Sequence, residues 1–170
     1  MARRWLDIRG PVVADAVYAN GTLVANDTSF TLPAISFLTA DVQAMGNMTV
    51  ALVGLLENME LTFKKIGVDR GLGQVNRLEK NNFEFRWAQN IVKSDGSTKP
   101  EGCKAFVRTM PSGIPELGVE VGNATEAENK YNVTRVQIYA GGVELLCVDR
   151  LSQILRVNGK DYMKEINNLL

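Results

Sequence analysis

The sequence of 170 residues contains no histidine and only two cysteines. Without histidine the chain cannot build a Ser-His-Asp or Cys-His nucleophile, a histidine-ligated zinc site, or the commonest general acid and base near neutral pH. Cys103 and Cys147 lie far apart in apolar stretches and fit no metal-binding spacing, so we expect two small buried side chains. We therefore predict no catalytic residue, no cofactor and no metal site, and the protein is not expected to be an enzyme.

An excess of one charge is also missing, because 19 Lys and Arg residues balance 19 Asp and Glu residues. Proteins that bind nucleic acid usually carry a basic excess that neutralises phosphates. A dedicated nucleic-acid binder is therefore not expected, whereas a conduit through which nucleic acid passes without binding is compatible with this balance.

No long apolar run is present, since the longest, residues 50–56, is far too short to span a bilayer. The start, residues 1–5, superficially resembles a twin-arginine signal, but Asp7 and Arg9 interrupt the apolar region that such a signal needs. We therefore predict no membrane segment and no signal peptide, and we expect synthesis in a cytoplasm.

Alternation with a period of two residues dominates what is present. Phe83, Phe85 and Trp87 alternate with Glu84 and Arg86, and residues 59–64 and 134–139 repeat the pattern. Asn20-Gly21 and Gly141-Gly142 stand between such stretches, and both pairs are typical of tight hairpin turns. The sequence predicts a single, mainly antiparallel β domain over residues 1–170.

Residues 31–67 offer two long extended stretches joined near Met45-Gly46-Asn47-Met48. Arms of this length exceed the usual strand of about five or six residues. Such a hairpin either folds back over the body or reaches out to pair with another copy of the chain, and chain geometry alone leaves both readings open.

Helix is scarce. Leu72, Val75 and Leu78 share one face of a predicted short helix over residues 71–80, and residues 161–169 could form another. Residues 94–102 and 122–130 are predicted to be polar loops. The glycines at 67, 71 and 73 match no nucleotide-binding motif, and the acidic residues Glu116, Glu120, Glu126 and Glu128 are expected to form a solvated rim.

The order of these features resembles a known family. Asn20-Gly21 leads into Leu32-Pro33, a long hairpin turns at residues 45–48, a short helix follows, and Val157-Asn158-Gly159-Lys160-Asp161 stands near the end. Over roughly residues 14–165 this order resembles the major tail tube proteins of contractile-tailed phages, a family shared with R-type bacteriocins.

The resemblance implies a small antiparallel β-sandwich or split barrel with one short flanking helix and a long protruding hairpin. Subunits of this family form six-fold rings that stack around a continuous inner β-barrel. The implied partners are further copies of the chain, a contractile sheath, a baseplate or tube initiator and a tape-measure protein, while DNA passes through the lumen without specific binding. The implied location is the virion tail, assembled in the cytoplasm of a bacterial host.

On this interpretation the hairpin makes the contacts between subunits. The candidate assembly residues are Pro33, Thr39, Met45, Gly46, Asn47, Met48 and Thr49. Glu60 and Thr62 are candidates for the lumen, because they alternate with Met59, Leu61 and Phe63, which are expected to pack on the body. The alternatives are the tube of a headless bacteriocin or of a type VI-like apparatus, and a stand-alone β-sandwich binding module.

Overall fold

The computed structural model describes residues 7–170, so the signal-like start at residues 1–5 lies outside the described part of the chain. Strands dominate the described residues, and nearly all of them pair in antiparallel ladders. The sheet does not close into a barrel within a single copy. The prediction of a mainly antiparallel β fold of the sandwich type is confirmed.

The elements follow one another in this order: β1 (Ile8–Ala19), β2 (Thr22–Asn26), β3 (Ser29–Thr31), β4 (Phe37–Gln43), β5 (Asn47–Leu56), β6 (Glu60–Ile66), α1 (Arg70–Val75), β7 (Asn81–Val92), β8 (Thr98–Pro111), β9 (Glu126–Ala140), β10 (Val143–Asp149), β11 (Ile154–Val157), β12 (Lys160–Asp161) and α2 (Lys164–Asn167). Strands β4 and β5 form a two-stranded sheet of their own. All the other strands belong to one large sheet in the order β12-β11-β10-β9-β8-β7-β1-β2, with β6 and β3 branching from β9.

The branch at β9 depends on one extra residue. The first half of β9 pairs with β6, and its second half pairs with β10. Against β8, Arg135 lies opposite Arg108 whereas Val133 lies opposite Thr109, which leaves Thr134 as a β-bulge. A bulge increases the local twist and changes which side chains point inward, so one strand can serve two differently oriented parts of the sheet.

The core is built around aromatic side chains from β3, β6 and β7. Phe83 and Phe85 are buried as their alternation predicts, and the Phe63 ring of β6 packs at 6.4 and 6.0 Å from their ring centroids. Phe30 of β3 packs at 4.6 Å from Phe85. The β3–β6 branch therefore lies over β7 as the second layer of the sandwich.

Both predicted tight turns are present. Asn20 and Gly21 have φ values of 51° and 85°, and Gly141 and Gly142 have φ values of 56° and 83°. Positive φ at both central residues is the geometry of the two-residue hairpin turn that suits the right-handed twist of strands.

The protruding hairpin is shorter than predicted. Its strands are β4 and β5, and its turn lies at Met45 and Gly46 as expected, but residues 31–36 and 57–67 do not belong to it. The second predicted arm ends at Leu56, because Leu61 and Phe63 are fully buried in the main core. Strand β6 therefore pairs with β9 rather than with the hairpin.

The helices are also shorter than their predicted ranges of 71–80 and 161–169. Helix α1 ends at Val75, and Leu78 is 64% exposed instead of packing on the sheet. Asp69 begins α1 by accepting a hydrogen bond from the backbone N–H of Leu72, a common N-cap. Helix α2 spans one turn only, and the buried side chain of that region is Met163.

The two predicted polar loops are partly strand. Residues 98–102 belong to β8 and residues 126–130 belong to β9. Apart from the buried Asn129, their polar side chains are exposed or half-buried, and such positions accept charge within a strand. Composition alone therefore extended both predicted loops into the strands that follow them.

Lys65 is a buried cation that the sequence reading did not anticipate. It shares the inner side of β6 with Leu61 and Phe63, and its side chain is 4% exposed. Its Nζ atom donates to the Asp69 carboxylate at 3.1 Å. This donation is the main cause that lowers the pKa of Asp69, so the N-cap of α1 also serves as the counter-charge of Lys65.

The aromatic core predicts a large difference between two Phe residues. Phe85→Ala removes a fully buried ring and should lower the free energy of unfolding by about 3–5 kcal/mol. Phe106→Ala on the outer face, where the ring is 39% exposed, is the matched control and should cost clearly less. Urea denaturation of dilute protein measures both, and equal losses would contradict this account of the core.

Candidate assembly surfaces

The β4–β5 hairpin stands apart from the main sheet. Its two strands pair only with each other, so among the described residues both outer edges lack a ladder partner. Isolated two-stranded sheets are marginally stable in water, and unpaired edges readily pair with another chain. The hairpin is therefore the part of the fold that one copy leaves incomplete.

The hairpin has two chemically different faces. On one face Gln43 donates to Asn47 at 2.7 Å and Thr49 donates to Asp41 at 3.0 Å. On the other face Val42 lies opposite Met48, and these side chains are 45% and 47% exposed. An apolar face that stays in water in one copy is typical of a surface that a partner covers.

Two apolar crevices lie beside the root of the hairpin, where β5 meets the body. One, of about 500 Å³, separates β5 from α2, and the other, of about 320 Å³, separates β5 from β10 and β11. Gly54 lies in β5 with a φ of 104°, and a Cβ atom there would lie 2.6 Å from Sδ of Met163, the residue before α2. A glycine is thus needed where the hairpin meets the body.

The predicted assembly residues occupy different places on this unit. Thr39, Asn47 and Thr49 lie on the polar face, and Met48 lies on the apolar face. Met45 and Gly46 form the exposed tip.

Pro33, in contrast, is buried between β3 and β4 and is not part of the hairpin surface. Val42 and Gly54 were missed by sequence reasoning, although the alternation of Ala40 and Val42 with Thr39, Asp41 and Gln43 could have indicated the apolar face.

Glu60 and Thr62 lie on the outer side of β6. Met59, Leu61 and Phe63 are completely buried, so the predicted alternation of this strand is confirmed. Glu60 is exposed opposite Asn132, and Thr62 is half-buried opposite Lys130. The two side chains are therefore available on a polar face, and their position relative to a lumen stays a prediction.

The outer face of the main sheet carries a network of charged side chains. Arg156 donates to Glu144 at 2.6 Å, Arg86 pairs with Glu84, and Arg135 lies 3.5 Å from Asp149. The Arg156 guanidinium beside Glu144 lowers the pKa of that carboxyl group. Arg156 thus favours the ionised form of Glu144.

No catalytic constellation accompanies these surfaces. Within residues 7–170, no group of three or more Cys, Asp or Glu side chains is arranged to hold a metal ion, and no helix is long and apolar enough to cross a membrane. Cys103 and Cys147 are buried as expected, and burial raises the pKa of the Cys103 thiol. A protonated, buried thiol is a poor nucleophile.

Comparison with known proteins identifies the family of this chain. The family model of phage tail tube protein FII matches residues 13–170. The chain belongs to this family of tail tube proteins, whose members are structural components of the virion tail.

The fold is also similar to a chain in the cryo-EM structure of an extracellular contractile injection system, the PVC sheath-tube complex in its extended state. The match has a TM-score of 0.53 and 15% sequence identity, and it covers 76% of this chain and 90% of that chain. At this identity the likeness concerns the fold. A comparison with curated proteins finds no match.

The root of the hairpin gives a prediction at Gly54. Gly54→Ala should destabilise the seat of the hairpin by about 1–2 kcal/mol, because a residue with a side chain is strained at this positive φ. The flexible Met163 side chain can shift, so backbone strain decides the outcome. Hydrogen exchange should accelerate selectively over residues 37–56.

Gly73→Ala is the control for this change. Nothing lies within 4 Å of a Cβ atom at Gly73 and its φ is not positive, so exchange over the hairpin should stay at the wild-type rate. If the two variants behave alike, Gly54 does not anchor the hairpin.

Proposed function

We propose that this chain is the repeating subunit of the inner tube of a contractile phage tail, that it forms six-fold rings, and that the rings stack into a conduit for genome delivery and envelope penetration. The observation that carries the proposal is the two-faced β4–β5 hairpin, which is anchored at its root and unpaired at both edges. Membership of the tail tube family supports the same role.

In the proposed assembly the hairpins of neighbouring copies pair into a continuous inner β-barrel. Closure into a barrel removes the unpaired edges that make a lone hairpin unfavourable. The absence of a net charge suits a conduit, because a basic wall would retain DNA through its phosphates. No enzymatic activity is part of this proposal.

The proposed partners beyond the chain itself are a contractile sheath, a baseplate or tube initiator, and a tape-measure protein. The fold likeness to a chain of a sheath-tube complex supports the sheath as a partner. Assembly in the cytoplasm of the bacterial host completes the proposal.

A headless R-type bacteriocin or a type VI-like apparatus would use the same subunit architecture and remains the second candidate. The balanced charge suits a conduit of either kind, and the particle that carries the tube distinguishes them. A stand-alone binding module is less well supported, because it would not need an unpaired two-faced hairpin.

Negative-stain electron microscopy across a concentration series tests the tube directly. Hollow rods or rings of uniform width are expected from the wild-type chain, and compact single particles at every concentration, with a hairpin resistant to protease, would contradict the proposal.

The apolar face of the hairpin should be required for this assembly. The double variant Val42→Asp/Met48→Asp places two charges on that face and should abolish rods while the subunit stays folded, because both side chains are already exposed. Val68→Asp, at a side chain 64% exposed outside the hairpin, is the control and should assemble. Rods formed by the double variant would show that the hairpin face is not an interface.

A lumen position for Glu60 gives a size-selective prediction. In assembled tubes of the Glu60→Cys variant, a small maleimide should label the new thiol, whereas a maleimide carried on a large globular protein should not reach it. In the unassembled subunit both reagents should react, because Glu60 is exposed and the native cysteines are buried. Equal labelling of intact tubes by both reagents would place Glu60 on the outside.

A further inference from the structure

A second part of the chain is left without a partner in one copy. After β8, residues 112–120 run without a turn or a bend, and no strand of the described chain pairs with them. Apart from Pro115, every residue of this stretch is exposed. Two side-chain hydrogen bonds involve it: Oγ of Ser112 donates to the backbone oxygen of Lys130 at 2.6 Å, and Nδ2 of Asn123 donates to the Glu120 carboxylate at 2.8 Å. We call residues 112–121 the extended arm.

The extended arm has the alternation of a strand. Leu117, Val119 and Val121, which are 42%, 79% and 102% exposed, alternate in sequence with Glu116, Gly118 and Glu120. In an extended chain this alternation places the two sets on opposite sides. A segment with a polar side and an apolar side is typical of a strand with a surface on each side.

Within the described residues of its own copy, the extended arm forms no ion pair. Glu116 and Gly118 border a shallow depression that also contains Lys64, Lys130, Glu126 and Glu128. The two lysines are offset by the two glutamates, and no described cation lies within 4 Å of Glu116 or Glu120. Glu120 accepts a hydrogen bond from the neutral amide of Asn123, so both carboxylates of the arm remain able to pair with cations of another surface.

The complementary surface lies on the outer face of β8. Lys104 and Arg108 point outward on either side of Phe106, whose ring is 39% exposed. Neither cation is within 4 Å of a carboxylate of the described residues. We call these three residues the β8 basic face.

Arg108 is the more unusual of the two cations. It lies directly opposite Arg135 on β9, and its Nε atom is buried without a hydrogen-bond partner. Like charges opposite each other on neighbouring strands are destabilising. The nearby carboxylates Glu84, Glu144 and Asp149 already pair with other arginines, so the β8 basic face has a surplus of positive charge.

The two surfaces match in charge, spacing and shape. Lys104 and Arg108 are four residues apart on a strand, as Glu116 and Glu120 are on the extended arm, which corresponds to about 13 Å in each case. Phe106 at the centre meets Gly118, where nothing lies within 4 Å of a Cβ atom. The pattern is symmetrical, so the match holds in either strand direction.

We propose that the extended arm of one copy docks on the β8 basic face of a neighbouring copy in the tube. When the acidic side docks on the neighbouring copy, the apolar side faces the copy to which the arm belongs. The arm then forms a layer between the two subunits. Such a contact uses different surfaces on the two copies, as ring-forming and stacking contacts do. The inference rests on the proposed function, because it requires that copies assemble.

The contact is not formed within one copy in the structure. The arm lies beside Lys130 on β9, whereas Phe106 pairs with Gln137 on the same strand. Seven residues of strand separate these positions by about 23 Å. Covalent dimers linked through residues 106 and 118 therefore report a contact between copies, and a link within one copy would leave the chain a monomer on the gel.

Charge reversal tests the pairing. The variant Lys104→Glu/Arg108→Glu and the variant Glu116→Lys/Glu120→Lys should each raise the concentration needed for tube formation about tenfold or more. The quadruple variant restores opposite charges and should return this concentration to near the wild-type value. Lys80→Glu/Lys93→Glu, at two exposed lysines, is the control and should assemble normally.

Disulfide trapping gives a second readout that does not depend on charge. The double variant Phe106→Cys/Gly118→Cys, oxidised as assembled tubes, should give covalent dimers and higher species on a non-reducing gel. The single variants should give far fewer, because the native cysteines are buried.

The outcomes separate the two proposals. Wild-type protein that stays as single particles at every concentration, with a hairpin resistant to protease, contradicts the proposed function, and the inference falls with it. Wild-type tubes combined with no rescue in the quadruple variant, or with no covalent dimers, overturn the inference alone and leave the proposed function in place.

Discussion

The packing of Phe63 against Phe83 and Phe85 is the interaction on which the rest of the structure depends. It joins the β3–β6 branch to β7 and so creates the second layer of the sandwich. Aromatic pairs of this kind combine a large buried area with a preferred geometry. Because β6 packs in this core, it does not continue the strand β5. The extended strand is therefore interrupted between Leu56 and Glu60.

Within residues 7–170, that commitment leaves the β4–β5 hairpin without a neighbouring strand. A sheet that uses all its strands for its own core would have no incomplete part to offer to another copy. Here the body completes its own sheet by pairing β6 with β9. The hairpin extends from the body at Gly54, which lies beside Met163. The subunit can therefore be stable alone and still present unpaired backbone and an apolar face for assembly.

The sequence was sufficient for the fold class, the two tight turns and the tip of the hairpin, because each depends on local features: alternation at Phe83 and Phe85, Asn20-Gly21, Gly141-Gly142 and Met45-Gly46. It was insufficient for the end of the hairpin and for the length of α1. Those boundaries are decided by tertiary packing, which buries Leu61 and Phe63 but leaves Leu78 in solvent.

For the assembly surfaces, the hairpin tip could be predicted from the sequence, whereas the cross-strand position of Arg108 opposite Arg135 depends on a register that one sequence does not reveal.

The bulge at Thr134 has a consequence for how the chain can vary in length. Upstream of it Asn129, Tyr131 and Val133 point inward, and downstream of it Val136 does. If Thr134 were paired as an ordinary strand residue, strict alternation from Val133 would send Arg135 into the core and Val136 into water. Insertions and deletions should therefore be tolerated in the turns of this protein and at Thr134 itself, but elsewhere in its longest strand they would put the two halves of β9 out of phase.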